Sequence, residues 1–141
     1  MSKPNNHTDL GDVLIRSDLN VPIINNEITD KFRISKSINI INSIYESSRT
    51  ITFTSHLGRP NNSDPNFSLI KIADAMSELL DNEKVMFIDA IHGSKVEEAI
   101  KNQKSKIFLL ENLRFDEGEI NNSLDFAANV TKPFQTYIFD A

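Results

Sequence analysis

The stretch ITFTSHLGRP at residues 51–60 passes from a short apolar run into a polar turn, and it decides the fold class. The run at 51–53 has the length and the β-branched and aromatic content of a buried strand. Similar runs occur at 13–15, 85–88, 107–110 and 137–139. The sequence therefore predicts five buried strands.

Helical periodicity fills the intervals between these runs. Apolar residues recur at i, i+4, i+7 and i+11 from Ile34 to Tyr45, and further stripes lie at 69–80, 96–100 and, more weakly, 123–130. Thr29 or Asp30 and Ser68 offer oxygens to the unpaired amides at two helix starts. Alternating strands and helices imply right-handed crossovers in an α/β fold. We expect a parallel sheet of about five strands with helices on both faces, a Rossmann-like three-layer sandwich.

Length and composition limit the class of protein. With 141 residues, 39% of them hydrophobic, the chain can bury one core. We expect a tail at 1–11 and one partial domain at 12–141. No apolar run is long enough to span a bilayer, and residues 1–12 lack the apolar stretch of a secretory signal, so we expect a cytoplasmic protein without a membrane partner. The absence of cysteine excludes disulfides and thiolate catalysis, and a pI near 5.1 argues against nucleic acid.

Polar residues collect where the predicted strands end. Ligands of parallel sheets bind outside the carboxyl ends of the strands. The residues predicted at that edge are Arg16, Asp18, Asn20, Arg33, the run 55–59, Glu111, Asn112 and Arg114. Four of the five arginines would therefore converge, whereas Arg49 precedes the second strand and should lie at the opposite end.

This edge has the chemistry of an anion site, although the chain carries a net charge of −5. Arginine stays charged, and its planar fork makes paired hydrogen bonds to phosphate or carboxylate. Asp18 would repel an anion, so it should bind a ligand hydroxyl or hold an arginine in place, and Asn20 suits the same hydroxyl-bearing group. His56 could bind phosphate as a cation or donate as a neutral imidazole.

At these residues the chain resembles the phosphoglycerate kinase family. The matching stretches are RSDLNVP at 16–22, ITDKFRI at 28–34, SHLGRP at 55–60 and LENLRF at 110–115, in the family's order and approximate spacing. The resemblance implies reversible phosphoryl transfer between 1,3-bisphosphoglycerate and ADP, giving 3-phosphoglycerate and ATP. It also implies a usually monomeric, glycolytic enzyme whose amino-terminal domain binds 3-phosphoglycerate.

The resemblance also implies a role for each matching residue. Arg33 would be the catalytic arginine, and Asp18 and Asn20 would contact the glycerate. The remaining members of the implied substrate-binding set are Arg16, Leu19, His56, Leu57, Gly58, Arg59 and Arg114, of which His56, Arg59 and Arg114 are phosphate-side ligands.

The chain departs from the family pattern both at single residues, where packing changes but the polar contacts survive, and in its extent. Ser17 and Leu19 stand where the family usually has valine and phenylalanine, and Phe139 replaces an asparagine. The last substrate arginine and the carboxyl-terminal domain, which binds ATP or ADP with Mg²⁺, are missing from the sequence. We expect no metal or nucleotide site and no turnover by this chain alone, unless a separate carboxyl-terminal half acts as its partner.

Other interpretations remain open. Each stretch taken singly has an ordinary structural explanation, since Arg16 could merely pair with Asp18 or Asp140 and Gly58 could only mark a turn. A stand-alone module that holds or senses 3-phosphoglycerate would need the same residues. A general nucleotide-binding domain is disfavoured, because no glycine-rich phosphate-binding motif follows any strand and the chain has four glycines.

Overall fold

The computed structural model describes residues 9–21, 23–25, 27–58, 67–81, 83–116 and 124–140. Strands and helices alternate along these ranges. The strands are β1 (Gly11–Ser17), β2 (Ile23–Ile24), β3 (Glu27–Ile28), β4 (Ser48–Thr54), β5 (Val85–Ile88), β6 (Ile107–Leu110) and β7 (Thr136–Asp140). The helices are α1 (Phe32–Ile44), α2 (Ile70–Leu79), α3 (Ser94–Lys101) and α4 (Leu124–Thr131), with a 3-10 turn at Leu113–Phe115.

The five predicted strands form one parallel sheet in the order β5-β6-β4-β1-β7, which confirms the α/β prediction. Strand β1 starts at Gly11, the last residue of the predicted tail. In a parallel sheet the carboxyl ends of all strands meet at one edge. Since β6, β4 and β1 are neighbours, the loops that follow them lie side by side.

Successive residues of a strand point to opposite faces of the sheet, and two separate cores result. Val13 and Ile15 of β1 pack with residues of α1 and α2, whereas Leu14 between them packs with residues of α3 and α4. The helices therefore cover both faces, as the predicted three-layer sandwich requires. Within the described ranges, no helix has the length and apolar character that a membrane crossing would need.

A small hairpin of β2 and β3 was not predicted. Its strands have two residues each, which is too short for hydrophobic periodicity to reveal, and Asn25 turns the chain at φ +53°. Asparagine is one of the few residues that accept this left-handed conformation. The hairpin lies directly before α1 in the chain, at the carboxyl edge of the sheet.

The predicted capping residues act one position earlier than an N-cap. Lys31 and Leu69 occupy the N-cap positions of α1 and α2. Asp30 Oδ1 nevertheless accepts a hydrogen bond from the amide of Phe32 at 2.9 Å, and Ser68 Oγ accepts one from Ile70 at 3.3 Å. Both oxygens therefore satisfy the first amide of a helix, as predicted.

Two buried threonines of β4 differ in whether their hydroxyl group has a hydrogen-bond partner, so the same substitution should affect stability in opposite directions. Thr50 and Thr52 are fully buried, but Thr50 Oγ1 donates to Asp12 Oδ1 at 2.7 Å, whereas Thr52 Oγ1 has no hydrogen-bond partner among the described residues. An unpaired buried hydroxyl costs free energy, and valine removes it without changing the shape of the side chain. We expect Thr52→Val to raise the free energy of unfolding by about 1 kcal/mol, and Thr50→Val to lower it by about 1–2 kcal/mol.

Urea denaturation followed by circular dichroism would measure both variants. The two substitutions make the same chemical change on one strand, so a general effect of valine on β propensity would shift them equally. Stabilisation by both, or destabilisation by both, would show that the hydrogen bonds of these two threonines do not decide the outcome.

Candidate functional site

The loops after β1 and β4 are joined by hydrogen bonds at the carboxyl edge of the sheet. Ser55 Oγ accepts from the amide of Leu19 at 3.0 Å, and Asn20 Oδ1 accepts from the amide of Gly58 at 3.0 Å. Both links pair a side chain of one loop with the backbone of the other. They position Asp18 and Asn20 relative to the loop that carries His56.

Asn112, the second residue after β6, also holds the loop that follows β4. Its side chain is fully buried, and its Oδ1 accepts from the amides of Leu57 and Arg114 at 3.1 and 3.0 Å. Its Nδ2 donates to the carbonyl oxygens of Leu57 and Phe67 at 2.9 and 2.8 Å. One side chain therefore satisfies four backbone groups, of which the two of Leu57 are buried.

Gly58 is required by the shape of this loop. Its φ is +60°, in the left-handed region that glycine adopts without strain. A Cβ atom at this position would lie 2.5 Å from the ring of Phe67. Any larger residue would therefore strain the backbone and displace Phe67.

A cleft of about 340 Å³ opens where these loops meet the end of β7. Its lining consists of Arg16, Ser17, Asp18, Asn20, Arg33, His56 and Phe139. A second hollow of about 370 Å³ is lined by Asn20, Val21, Asp30 and Arg33 and shares Asn20 and Arg33 with the cleft. The tertiary structure thus brings together five residues that the sequence placed in one site, namely Arg16, Asp18, Asn20, Arg33 and His56.

The other predicted site residues have different surroundings. Leu19 and Leu57 are core residues, so only their backbone could face the cleft, and Gly58 borders it through its bond to Asn20. Arg114 lies on the 3-10 turn after β6, outside the described lining of the cleft. Arg59 falls outside the described residues.

Arg33 is held by the loop after β1. Its Nη1 donates to the carbonyl oxygen of Asn20 at 2.6 Å and to Asp18 Oδ1 at 3.3 Å. Asp18 thus takes one of the two roles left open for it, that of orienting an arginine. The side chains of both charged residues are about half exposed, 51% and 45%, so water weakens their attraction. An incoming anion could therefore replace Asp18 as the partner of Arg33 at small cost.

A larger hollow has the wrong charge for an anion. It measures about 560 Å³ and lies near the ends of β5 and β6, where its acidic lining residues are Asp89, Glu111 and Asp116. Glu111 is already used by α2, because it accepts hydrogen bonds from the amide of Leu69 and the hydroxyl of Ser68. In the described part of the chain, no group of three histidine or acidic side chains could hold a metal ion.

Two lining residues were missed by sequence reasoning. Ser17 and Phe139 were noticed only as departures from a family pattern, yet both border the cleft. Ser17 pairs with Asp140, and Arg16 pairs with Phe139, in the register of β1 and β7. Strand order cannot be read from hydrophobic periodicity, and the possible pairing of Arg16 with Asp140 was the sequence's one indication that the end of β7 lies beside the end of β1.

Comparison with known proteins gives one family. A family model described as Phosphoglycerate kinase matches residues 7–141. The chain is 43% identical over 130 residues to a phosphoglycerate kinase of Wolbachia sp. subsp. Drosophila simulans, and 40% identical over 131 residues to one of Thermosipho africanus. Each match covers 92% of this chain but 32% of the relative, so the chain spans about a third of the length of these curated relatives.

Solved structures agree in fold. The phosphoglycerate kinase of Pyrococcus horikoshii superposes with a TM-score of 0.79 at 28% identity, covering 96% of this chain and 35% of that one. The structure from Coxiella burnetii gives a TM-score of 0.76 at 30% identity, covering 95% and 34%. The fold and almost the whole sequence thus agree with one family, and the chain belongs to the phosphoglycerate kinase family.

Proposed function

We propose that this chain supplies the 3-phosphoglycerate-binding part of a phosphoglycerate kinase, which transfers a phosphoryl group reversibly between 1,3-bisphosphoglycerate and ADP. The observation that carries the proposal is the cleft, whose lining combines Arg16, Arg33 and His56 with Asp18 and Asn20. Cationic groups suit the phosphate and carboxylate of the ligand. A carboxylate and an amide beside them suit its hydroxyl group.

The proposed binding follows from the donors and acceptors present. The guanidinium groups of Arg16 and Arg33 would make charge-assisted hydrogen bonds to anionic oxygens. The carboxylate of Asp18 would accept a hydrogen bond from the ligand hydroxyl. The Oδ1 of Asn20 is bound to Gly58, so its amide nitrogen is the group left to donate to the ligand.

The remaining assignments are also part of the proposal. By family resemblance, Arg59 and Arg114 would bind the phosphate, and the backbone of Leu19, Leu57 and Gly58 would line the site. Asn112 holds Leu57 in place by binding both its amide and its carbonyl group, so Leu57 would line the site without donating its amide to the ligand.

The proposed catalytic contribution of Arg33 is electrostatic. In phosphoryl transfer the negative charge spreads over the oxygens of the moving group, and a positioned cation lowers the barrier. The substrate carboxylate is itself the nucleophile, so no nucleophilic side chain is needed. By family resemblance, MgATP or MgADP would bind in the carboxyl-terminal domain, beyond the third of the relatives' length that this chain spans.

Calorimetric titration with 3-phosphoglycerate at low salt tests the binding proposal. We expect saturable binding that Arg33→Gln weakens about tenfold, because one charge-assisted contact is lost. Lys84→Gln is the matched control, since it removes one positive charge from an exposed residue directly before β5, at the opposite edge of the sheet. Absence of binding by the folded chain, or equal weakening in both variants, would contradict the assigned cleft.

A second candidate is a module that holds 3-phosphoglycerate without chemistry. The same cleft would serve it, because holding the ligand needs only the cationic and polar side chains of Arg16, Arg33, His56, Asp18 and Asn20. An assay of ATP formation from 1,3-bisphosphoglycerate and ADP separates the two functions. Binding without turnover, also after addition of a carboxyl-terminal half from a relative, would favour the module.

A further inference from the structure

Three buried hydroxyl groups of the sheet have no hydrogen-bond partner among the described residues, and they belong to Ser17, Thr52 and Thr54. A buried hydroxyl without a partner costs free energy, so each of them needs a physical reason. Thr52 and Thr54 lie on β4, outside the described lining of the cleft. Ser17 is the last residue of β1 and lines the cleft. Of the three hydroxyl groups, that of Ser17 is therefore the one beside a space that a ligand can occupy.

The position of Ser17 places it among the cationic groups of the cleft. Residues of a strand alternate between the two faces of the sheet, so Ser17 lies on the face of Val13 and Ile15, which pack with α1 and α2. Arg33 belongs to the first turn of α1, and Arg16 directly precedes Ser17 in the chain. Both arginines line the same cleft as Ser17. An anionic oxygen that either guanidinium group binds there would come close to the serine side chain.

We propose that Ser17 is a ligand-binding residue, whose hydroxyl group donates a hydrogen bond to a carboxylate or phosphate oxygen of the molecule in this cleft. The proposal rests on the proposed function, because it takes 3-phosphoglycerate as the ligand. A serine hydroxyl can donate or accept, but Arg16 and Arg33 attract oxygens that carry lone pairs and no proton. The hydroxyl of Ser17 is therefore the donor in this contact.

The burial of Ser17 is compatible with this role. Its exposed fraction is 2%, yet its oxygen turns about a single bond between staggered positions, so the contact needs no movement of the backbone. Valine, the usual residue of the family at this position, has no hydroxyl group. The contact would therefore distinguish this chain from relatives that have valine there.

A hydroxyl that finds its partner only in the ligand has two effects of opposite sign. Without ligand it destabilises the folded chain, because the folded state leaves unpaired a group that water satisfies in the unfolded state. With ligand it strengthens binding. A hydroxyl with a purely structural role would stabilise the chain without ligand, so stability and affinity together separate the two roles.

The variant Ser17→Ala, which removes only the hydroxyl group, tests both effects. We expect a higher midpoint of urea denaturation without ligand, and calorimetric binding of 3-phosphoglycerate about tenfold weaker than that of the parent chain. Thr52→Val is the matched control, since it also removes an unpaired buried hydroxyl but lies outside the lining of the cleft. It should raise the midpoint and leave the affinity unchanged. A lower midpoint for Ser17→Ala, or an equal loss of affinity in both variants, would overturn the proposal.

The parent chain separates failure of this inference from failure of the proposed function. Equal affinities of the parent and Ser17→Ala for 3-phosphoglycerate would overturn the role of Ser17 and leave the proposed function intact. Absence of binding by the folded parent would overturn the proposed function and the Ser17 contact with it.

Two smaller ligands identify the oxygen that Ser17 contacts. Glycerate carries the carboxylate without the phosphate, and glycerol 3-phosphate carries the phosphate without the carboxylate. The tenfold ratio between the parent and Ser17→Ala should persist with the ligand that keeps the contacted group and disappear with the other. Equal affinities of the two chains for both ligands would show that the hydroxyl binds neither anionic group.

Discussion

Replacement of Asn112 by alanine is expected to lower the free energy of unfolding by about 3–4 kcal/mol, because buried backbone groups lose their partners. The lost bonds join Asn112 to Leu57, Phe67 and Arg114. The two bonds to Leu57 are buried, so its amide and carbonyl group would lose their partner where water does not replace it, whereas the bonds to Phe67 and Arg114 are only partly buried. The variant should also bind 3-phosphoglycerate more weakly, since the loop between β4 and Phe67 is no longer held.

Asn39→Ala is the matched control, because Asn39 is exposed on α1. Denaturation by urea, followed by circular dichroism, would compare both variants with the parent chain. We expect the control to lie within about 0.5 kcal/mol of the parent. Similar stabilities for the two variants would mean that Asn112 does not hold the loops together.

The second large effect is expected at the opposite edge of the sheet. Arg49 Nη1 donates to Asp12 Oδ1 at 2.9 Å and to the carbonyl oxygen of Ile100 at 3.0 Å, and its Nη2 donates to that of Lys101 at 2.7 Å. It thereby connects β4 with β1 and with the end of α3. We expect Arg49→Met to lower the free energy of unfolding by about 2–3 kcal/mol, because the buried carboxylate of Asp12 loses its cation.

This value is below that for a fully buried ion pair, since the side chain of Arg49 is 37% exposed and water screens part of the interaction. Lys104→Met, at an exposed position after α3, changes the charge equally and is the control. Thermal and urea unfolding should separate the two variants clearly. An unchanged stability of Arg49→Met would show that Asp12 is satisfied by Thr50 alone.

Local sequence patterns predicted the elements well. Runs of β-branched and aromatic residues marked the five strands of the sheet, and the apolar stripes marked α1 to α4. These signals depend on neighbours in the chain, which the sequence contains directly. The hairpin of β2 and β3 gave no such signal, because two residues per strand cannot show a period.

The site was predicted only in part. Arg16, Asp18, Asn20, Arg33 and His56 were expected at one edge and line one cleft. Arg114 was expected with them but lies outside the described lining. It follows β6, and the order β5-β6-β4-β1-β7 puts β4 and the loop after it between β6 and β1. The hydrogen bonds of Asn112 to the backbone of neighbouring loops could not be predicted from the sequence, since an asparagine after a strand can equally bind a ligand.

The sequence by itself determined the succession of strands and helices along the chain, the polar edge and the location of Arg49 away from that edge. Those properties follow from periodicity and from the common direction of parallel strands. Only the tertiary structure decided which polar residues meet, that Asp18 orients Arg33, and that Phe139 borders the cleft. These pairings depend on strand order and loop conformation, which arise from contacts between residues far apart in the chain.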